Sequence, residues 1–380
     1  MFNFDLDYFL LNLFLLLTFI IAGNKVSFGS KCGKYLWLCI VVFTFVLGSR
    51  YMRGNDYLRY QHTFLHDDDK SQVVFTCFNQ FLRWFGIGKY SFFYIYSIPF
   101  VVCALTYMKT LRPYACYLFP MFIMAFIFFH EYSIRQALGF SFVFMYMYYL
   151  FYKRENIVSR KEICEKWMLC VFYALLSCSI HSVNVLLIAM VTGIYMLSFT
   201  TISWKISIPL YVFSALFFTS FFDWNYLNNA LMLLGGVSDK FEIYTNRSTQ
   251  FFSIDAFQES WSRSFLGKFF EAIGHCSLFY LGCKTIKEKC KNRMFCTLFN
   301  VYVIGTIMCI CFWNYELFRR VFDPMLAFWC FVLPIVLVHK KEMKLRIHEK
   351  LLYFNLLFFL NDYLSYLLKR GAMTLFIWDI

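Results

Sequence analysis

The sequence is poor in charge, in glycine and in proline. Charged residues make up 16% of its 380 residues, with 16 glycines and 6 prolines, whereas an average soluble domain is about 25% charged. The low glycine and proline content excludes collagen-like and low-complexity chains, and the scarcity of charge excludes an intrinsically disordered chain. What is left is a folded protein that is unusually apolar.

The sequence also lacks the short motifs that bind nucleotides and metals. It has no GxxxxGK[ST] or GxGxxG loop, no CxxC pair and no HExxH helix, so nothing favours nucleotide-driven chemistry or a zinc site. The acidic run Asp67, Asp68 and Asp69 is more typical of a solvated loop tip than of a cation site. We therefore expect no cofactor and no resident metal.

Long apolar runs dominate what is present. Hydrophobic residues make up 60% of the chain, including 51 phenylalanines. A helix needs about 20 mostly apolar residues to cross a bilayer, and this length predicts about 12 transmembrane helices in an all-α polytopic integral membrane protein, with residues 1–380 forming a single transmembrane domain. The predicted spans lie near residues 5–22, 35–49, 90–108, 114–130, 132–152, 167–181, 182–200, 206–222, 264–283, 294–313, 320–338 and 351–368.

The net charge of +13 raises the question of a nucleic-acid partner, but the basic residues are distributed by membrane side. One alternating set of loops holds 21 of the 36 basic residues and only six acids. Such loops face the cytoplasm by the positive-inside rule, which places both termini on the outer side of the membrane. The charge is thus a topological feature, and we expect no nucleic acid as partner.

The predicted outer side has two long connections, residues 50–89 and 223–263. The first contains apolar residues at helical spacing, from Val74 to Phe85, with Arg83 on another face. This pattern is typical of an interfacial helix lying on the membrane. The second mixes polar and aromatic residues and is interpreted as a larger outer loop that covers a cavity.

Ionisable and polar residues gather at four turns on the predicted outer side, and together they are called the outer-face set below. They follow the second span, join the fourth span to the fifth, join the sixth to the seventh, and join the tenth to the eleventh. In that order they are Arg50, Arg53, Asp56, Tyr57 and Tyr60; Glu131, Arg135 and Gln136; His181; and Glu316, Arg319 and Arg320.

Charges at membrane depth are costly and are functional candidates by default. Arginine binds phosphate oxygens through a planar fork, so several arginines near the surface suit a phosphate or pyrophosphate ligand. Asp, Glu or His can accept a proton from an attacking hydroxyl, and tyrosines suit sugar rings. Two structural alternatives remain: arginines that snorkel to the interface, and helix braces, since Glu316 with Arg320 and Arg319 with Asp323 are four apart. Lys268, Glu271 and His275 are interpreted as such a brace in the ninth span.

At these residues the sequence resembles the EpsG family of polysaccharide-synthesis membrane proteins, which is related to Wzy-type O-antigen and capsule polymerases. The resemblance rests on four short motifs in order. They are Arg53 with Gly54-Asn55-Asp56-Tyr57-Leu58-Arg59-Tyr60, then Ile134-Arg135-Gln136-Ala137, then His181-Ser182, and finally Arg319 or Arg320 leading into the span with Pro334.

The resemblance implies a metal-independent glycosyltransferase that polymerises a surface polysaccharide (O-antigen, capsule or exopolysaccharide). Donor and acceptor would both be undecaprenyl-pyrophosphate-linked oligosaccharides, with a chain-length regulator and a flippase as pathway partners. Asp56, Glu131 or His181 is predicted to be the catalytic base, and Tyr57, Tyr60, Gln136 and Glu316 to contact the sugar or support the site. The predicted pyrophosphate-binding residues are Arg50, Arg53, Arg135, Arg319 and Arg320.

Three other functions fit parts of this pattern. A flippase for the same lipid-linked units needs a polar route through both membrane halves, whereas the strong charges here gather on one side. Another membrane glycosyltransferase, or an outer-face ligase, uses the same kind of site. A non-catalytic scaffold of a synthesis complex needs only the paired charges as braces.

The orientation is tested by fusing alkaline phosphatase, which is active only outside the cytoplasm, at chosen points of the chain. A fusion within 223–263 should be active, and a fusion between Lys284 and Arg293 should be inactive, because the second segment is rich in lysine and positive loops stay inside. The reverse pattern of activities would contradict the predicted topology.

Overall fold

A computed structural model describes residues 6–29, 33–51, 57–66, 73–151, 160–220, 265–312, 316–342, 346–369 and 375–376. The described chain is helical apart from one antiparallel pair of two-residue strands. The predicted outer loop 223–263 and the acidic run 67–69 lie outside these residues. So do Arg53 and Asp56, together with the side chain of Glu316.

Most α-helices overlap the predicted spans, and Val73–Trp84 overlaps the predicted interfacial helix. The exceptions are Tyr57–His66, which matches no predicted span, and span 320–338, which is divided between two helices. A 3-10 helix, Lys109–Tyr114, joins Phe92–Met108 to Ala115–Tyr132, and a second one covers Lys340–Glu342. In chain order the elements are α1 Leu6–Phe28, α2 Gly33–Gly48, β1 Arg50–Tyr51, α3 Tyr57–His66, α4 Val73–Trp84, α5 Phe92–Met108, α6 Ala115–Tyr132, α7 Ile134–Phe151, α8 Arg160–Ile180, α9 Asn184–Leu197, α10 Trp204–Ser220, α11 Phe265–Lys289, α12 Arg293–Cys311, α13 Glu316–Leu326, α14 Trp329–Val338, α15 Arg346–Lys369 and β2 Leu375–Phe376.

Within the described residues, six helical segments are long and apolar enough to cross a membrane. Three shorter apolar helices, α2, α9 and part of α10, accompany them. These lengths are those of a multi-pass membrane protein. The figure of about 12 spans and the side on which the termini lie stay predictions. The six segments are Leu6–Phe28, Phe92–Tyr132, Lys161–Ile180, Arg293–Cys311, Phe318–Val338 and Arg346–Leu368.

The predicted span 320–338 is divided into two helices, α13 and α14. The chain tightens at residues 327–328, where the N–H of Phe328 bonds to the carbonyl of Met325, only three residues back. Pro324 lies just before this point in α13 and has no N–H to donate, which weakens the regular helical ladder. Apolar length alone, which predicted one span here, does not mark this break.

The chain divides into two compact units. Unit 1 comprises Met1–Leu197, Trp329–Glu342 and Phe359–Ile380, and unit 2 comprises Ser198–Phe328 and Met343–Phe358. Most of the outer-face set belongs to unit 1, while Glu316, Arg319 and Arg320 belong to unit 2.

Contacts between helix termini define one end of unit 1. Arg112 lies there, in the turn between α5 and α6. Its Nε donates to the carbonyl of Val26, near the end of α1, over 2.9 Å. The Tyr114 ring lies 6.5 Å from that of His339 at the same end. These turns carry lysines and arginines of the predicted cytoplasmic loops. These contacts therefore bring together, at one end of unit 1, loops that the charge pattern assigns to the cytoplasmic side.

Phenylalanine rings fill the middle of unit 1. Phe100 of α5 packs against Phe122 and Phe126 of α6 and Phe144 of α7, with centroids 5.8–6.2 Å apart, a spacing typical of favourable ring pairs. Gly23 of α1 sits against the backbone carbonyl of Ala115, so a Cβ atom there would clash with α6. The high phenylalanine content thus serves helix packing.

In unit 2, Asn300 of α12 holds the loop between α9 and α10. Its side-chain amide donates to Ser198 Oγ at 2.8 Å and to the Thr200 carbonyl at 3.0 Å. Its oxygen accepts from the N–H of Ile202 at 2.8 Å. Because Asn300 is buried, these bonds satisfy loop groups that would otherwise be unpaired in an apolar setting.

Replacing Asn300 with Leu should destabilise the protein by about 2–4 kcal/mol, because three hydrogen bonds are lost and loop groups stay buried without them. The measurement is thermal unfolding of the detergent-purified variant. Asn24→Leu is the matched control, since Asn24 is exposed and bonds only to Ile20 of its own helix. Equal melting temperatures for the two variants would contradict this account.

Candidate active site

Arg50 is fully buried although it carries a charge, with 1% of its surface exposed. Its Nη1 donates to the backbone carbonyls of His130 and Glu131, each at 3.1 Å, and its guanidinium lies 4.7 Å from the Phe93 ring centre. Carbonyls in the last turn of a helix lack partners within the helix and favour a cation. Arg50 therefore caps the end of α6 and fixes the turn that leads into α7.

Strand β1 holds Arg50 in this position. The strand pairs antiparallel with β2, so that Arg50 lies opposite Phe376 and Tyr51 opposite Leu375. A pair of two-residue strands is weak alone, and here β1 follows the 16-residue helix α2 after one residue. The last described residues of the chain thus brace the segment that begins the outer-face set.

Glu131 is buried at the same turn, with 5% of its surface exposed. Its Oε2 accepts a hydrogen bond from the Tyr8 hydroxyl at 2.9 Å and a second one from the Tyr366 hydroxyl. Hydrogen bonds to a charged acceptor are stronger than neutral ones. A carboxylate is therefore held in an apolar setting by tyrosines of α1 and α15.

A hydrophobic cluster brings the unit 1 segments of the outer-face set together. Tyr57 of α3 stacks on Phe93 of α5, with ring centres 4.6 Å apart, and Phe93 also lies against Arg50. Ile134 precedes Arg135, and Ile180 precedes His181. The buried members, called the aromatic cluster below, are Tyr57, Tyr60, Phe64, Phe75, Leu82, Phe92, Phe93, Tyr96, Ile134, Leu138 and Ile180.

Arg135 begins α7 directly after the Glu131 turn. Its guanidinium lies 5.6 Å from the centre of the Phe75 ring of α4, a cation–π distance, while the neighbouring Gln136 is buried. Helix α4 packs on the aromatic cluster through Phe75 and Leu82. The predicted interfacial helix therefore contacts the candidate site directly, and its place on the membrane surface stays a prediction.

His181 lies in the short turn between α8 and α9 and is buried. This turn packs against Gly139 of α7, where an added Cβ atom would come within 2.5 Å of the Asn184 amide. Ser177 donates to the Gly139 carbonyl at 2.8 Å and accepts from Asn184 at 3.1 Å. Gly139 thus lies where α7 approaches Ser177, Asn184 and His181 closely, and a larger residue would displace the Asn184 amide.

In unit 2 the predicted pair Arg319 and Asp323 is confirmed, with Nη2 and Oδ2 3.3 Å apart on α13. Cys309 of α12 donates from its thiol to the other Asp323 oxygen at 3.5 Å. Arg320 is half-buried next to them. The predicted partner of Arg320, the Glu316 side chain, lies outside the described residues.

A second polar group of unit 2 joins α11 to α12. Glu271 lies 4.0 Å from His275 one turn later, and His275 Nδ1 is 2.8 Å from the Tyr302 hydroxyl. The sequence predicted Glu271 and His275 as a helix brace, and the contact with Tyr302 is of that kind. Tyr302 was missed because nothing marks one tyrosine among many.

The roles predicted for the outer-face set stay predictions. Tyr8 and Tyr366, which bind Glu131, were also missed, since neither lies near it in sequence.

Across the part of the chain that the structure describes, no three His, Cys, Asp or Glu side chains are grouped to hold a metal ion.

The sequence model described as EpsG family matches residues 34–377, which is most of the 380-residue chain. Among curated proteins and among solved structures, no significant match is found. The matched range contains every member of the outer-face set.

Arg50→Ala should lower the stability of the protein by about 3–5 kcal/mol, because two bonds from a charged donor to buried carbonyls are lost. Thermal unfolding in detergent measures this effect. Arg346→Ala is the control, since Arg346 is exposed at the start of α15. An unchanged melting temperature for Arg50→Ala would show that the cap does not hold the α6–α7 turn.

Proposed function

The chain belongs to the EpsG family, which implies a role in exopolysaccharide biosynthesis, and from this premise we propose that it is the polymerase of a surface polysaccharide. It transfers an undecaprenyl-pyrophosphate-linked oligosaccharide onto the non-reducing end of a second lipid-linked repeat unit. The reaction takes place at the outer face of the bacterial cytoplasmic membrane.

One observation carries this proposal: two arginines lie against rings of the aromatic cluster of unit 1, and the turns beside it hold a buried acid and a buried histidine. The arginines are Arg50 and Arg135. Glu131 lies three residues before Ile134 of the cluster, His181 directly follows Ile180, and both are buried. Ionisable groups inside apolar helices are retained for function more often than for stability. Cations beside a proton acceptor are what transfer from a pyrophosphate donor requires.

In the proposed reaction the acceptor hydroxyl attacks the anomeric carbon of the donor sugar. Its proton passes to Asp56, Glu131 or His181, and the bond between the anomeric carbon and the pyrophosphate oxygen breaks. The electron pair leaves with undecaprenyl pyrophosphate. Charge developing on that leaving group is stabilised by arginines already in place.

The arginines divide into two kinds by their contacts. Arg50 uses Nη1 to hold the backbone of His130 and Glu131, so it orders the site as well as adding positive charge. Within unit 1, Arg53 and Arg135 are assigned to the pyrophosphate, and Tyr57, Tyr60 and Gln136 to the sugar or to support of the site. For Glu316, Arg319 and Arg320 of unit 2 the roles stay those predicted from the sequence.

Replacing Arg135 or Arg53 with Ala should reduce long polysaccharide by at least about 100-fold, because each removes charge stabilisation from the leaving group. Strains lacking the protein are complemented with each variant, and polysaccharide length is read on a gel beside membrane protein abundance. Arg346→Ala, a change at an exposed arginine, should leave long chains intact. Long polysaccharide made by both the Arg135 and the Arg53 variant would overturn the assignment.

The flippase alternative is separated by where repeat units accumulate in cells without the protein. A polymerase defect leaves single lipid-linked units at the outer face, open to a membrane-impermeant glycosidase. A flippase defect leaves them on the cytoplasmic side, where that glycosidase does not reach them. Protected units would therefore favour the transporter over the polymerase.

A further inference from the structure

The Glu131 carboxylate is held from both ends of the chain. Tyr8 precedes it by 123 residues and Tyr366 follows it by 235, yet both hydroxyls donate to the same oxygen, Oε2. Two donors on one oxygen restrict rotation of the carboxylate plane more than one donor does. The direction in which Glu131 presents its carboxylate is thus set by α1 and α15.

Both tyrosines are themselves fixed by packing. Tyr8 is fully buried, and the Tyr366 ring meets Phe128 edge to face, with centroids 5.3 Å apart. A phenylalanine in either place keeps the ring and removes only the hydroxyl. The hydroxyl can therefore be tested separately from the packing.

Tyr363 offers a matched comparison on the same helix. One turn before Tyr366, its hydroxyl donates to the Asn12 carbonyl at 3.2 Å, and Asn12 in turn bonds to the Tyr8 carbonyl at 2.9 Å. Tyr363 is also buried. It joins the same two helices, α15 and α1, but its hydroxyl bonds to backbone and not to Glu131.

We propose that Tyr8 and Tyr366 are positioning residues that orient the Glu131 carboxylate to take the proton of the acceptor hydroxyl. The inference rests on the proposed function and selects Glu131 among the three candidate bases. The proton passes from the acceptor hydroxyl to Glu131, while the tyrosines keep theirs. Tyr366, near the C-terminal end of α15, thereby belongs to the active site.

The experiment measures polymerisation kinetics with purified full-length protein in proteoliposomes. The substrate is the lipid-linked repeat unit extracted from cells that lack the protein. Tyr366→Phe and Tyr8→Phe should each lower kcat by about tenfold with KM little changed, because a misoriented base slows proton transfer more than substrate binding. Tyr363→Phe should stay within about twofold of the wild-type kcat, because it leaves the Glu131 contacts in place.

Each outcome has one meaning. If the wild-type protein forms no oligomers, the proposed function fails and the inference with it. If the wild-type protein is active but Tyr366→Phe and Tyr8→Phe match Tyr363→Phe in kcat, the inference fails and the function stands. A full wild-type rate for Glu131→Gln would also overturn the inference alone. Melting temperatures of the three tyrosine variants, expected to be alike, exclude a difference in folding.

Discussion

Ionised groups buried among apolar helices need hydrogen-bonding partners inside the protein, and this constraint organises unit 1. Arg50 meets it by bonding to two backbone carbonyls at the end of α6. Glu131 meets it through two tyrosine hydroxyls. The carbonyls belong to α6, the hydroxyls to α1 and α15, and Arg50 itself to β1. Burying one guanidinium and one carboxylate therefore ties distant parts of the chain to a single turn. Losing one partner would leave a charge without compensation at high cost.

Packed aromatic side chains support this turn. Phe93 shows the connection, since it stacks on Tyr57 and also lies beneath the Arg50 guanidinium. Rings of Phe43 and Phe100 enclose His130, with centroids 5.2 and 5.1 Å away. Side chains packed in this way move little. The candidate site therefore depends on aromatic packing that extends beyond this turn into α2 and α5.

Local sequence patterns predicted the helices and one ion pair. The contacts that they missed join residues far apart in the sequence or involve the backbone. Apolar length marked the helices, and four-residue spacing predicted the Arg319–Asp323 pair. The same reasoning could not find Tyr366, which lies 235 residues from Glu131. Nor could it show that Arg50 bonds to carbonyls, because backbone acceptors leave no trace in a sequence. The break before α14 was missed because apolar length alone does not mark it, although Pro324 lies close to it in the sequence.

The EpsG family assignment and the buried ionisable groups of unit 1 support the proposal that this protein joins lipid-linked repeat units. The test places the purified protein in vesicles with a single lipid-linked repeat unit and follows the products on a gel. A polymerase is expected to form a ladder of oligomers that grows with time and requires no other protein. A lipid-linked repeat unit that stays monomeric in the presence of folded protein would contradict the proposal.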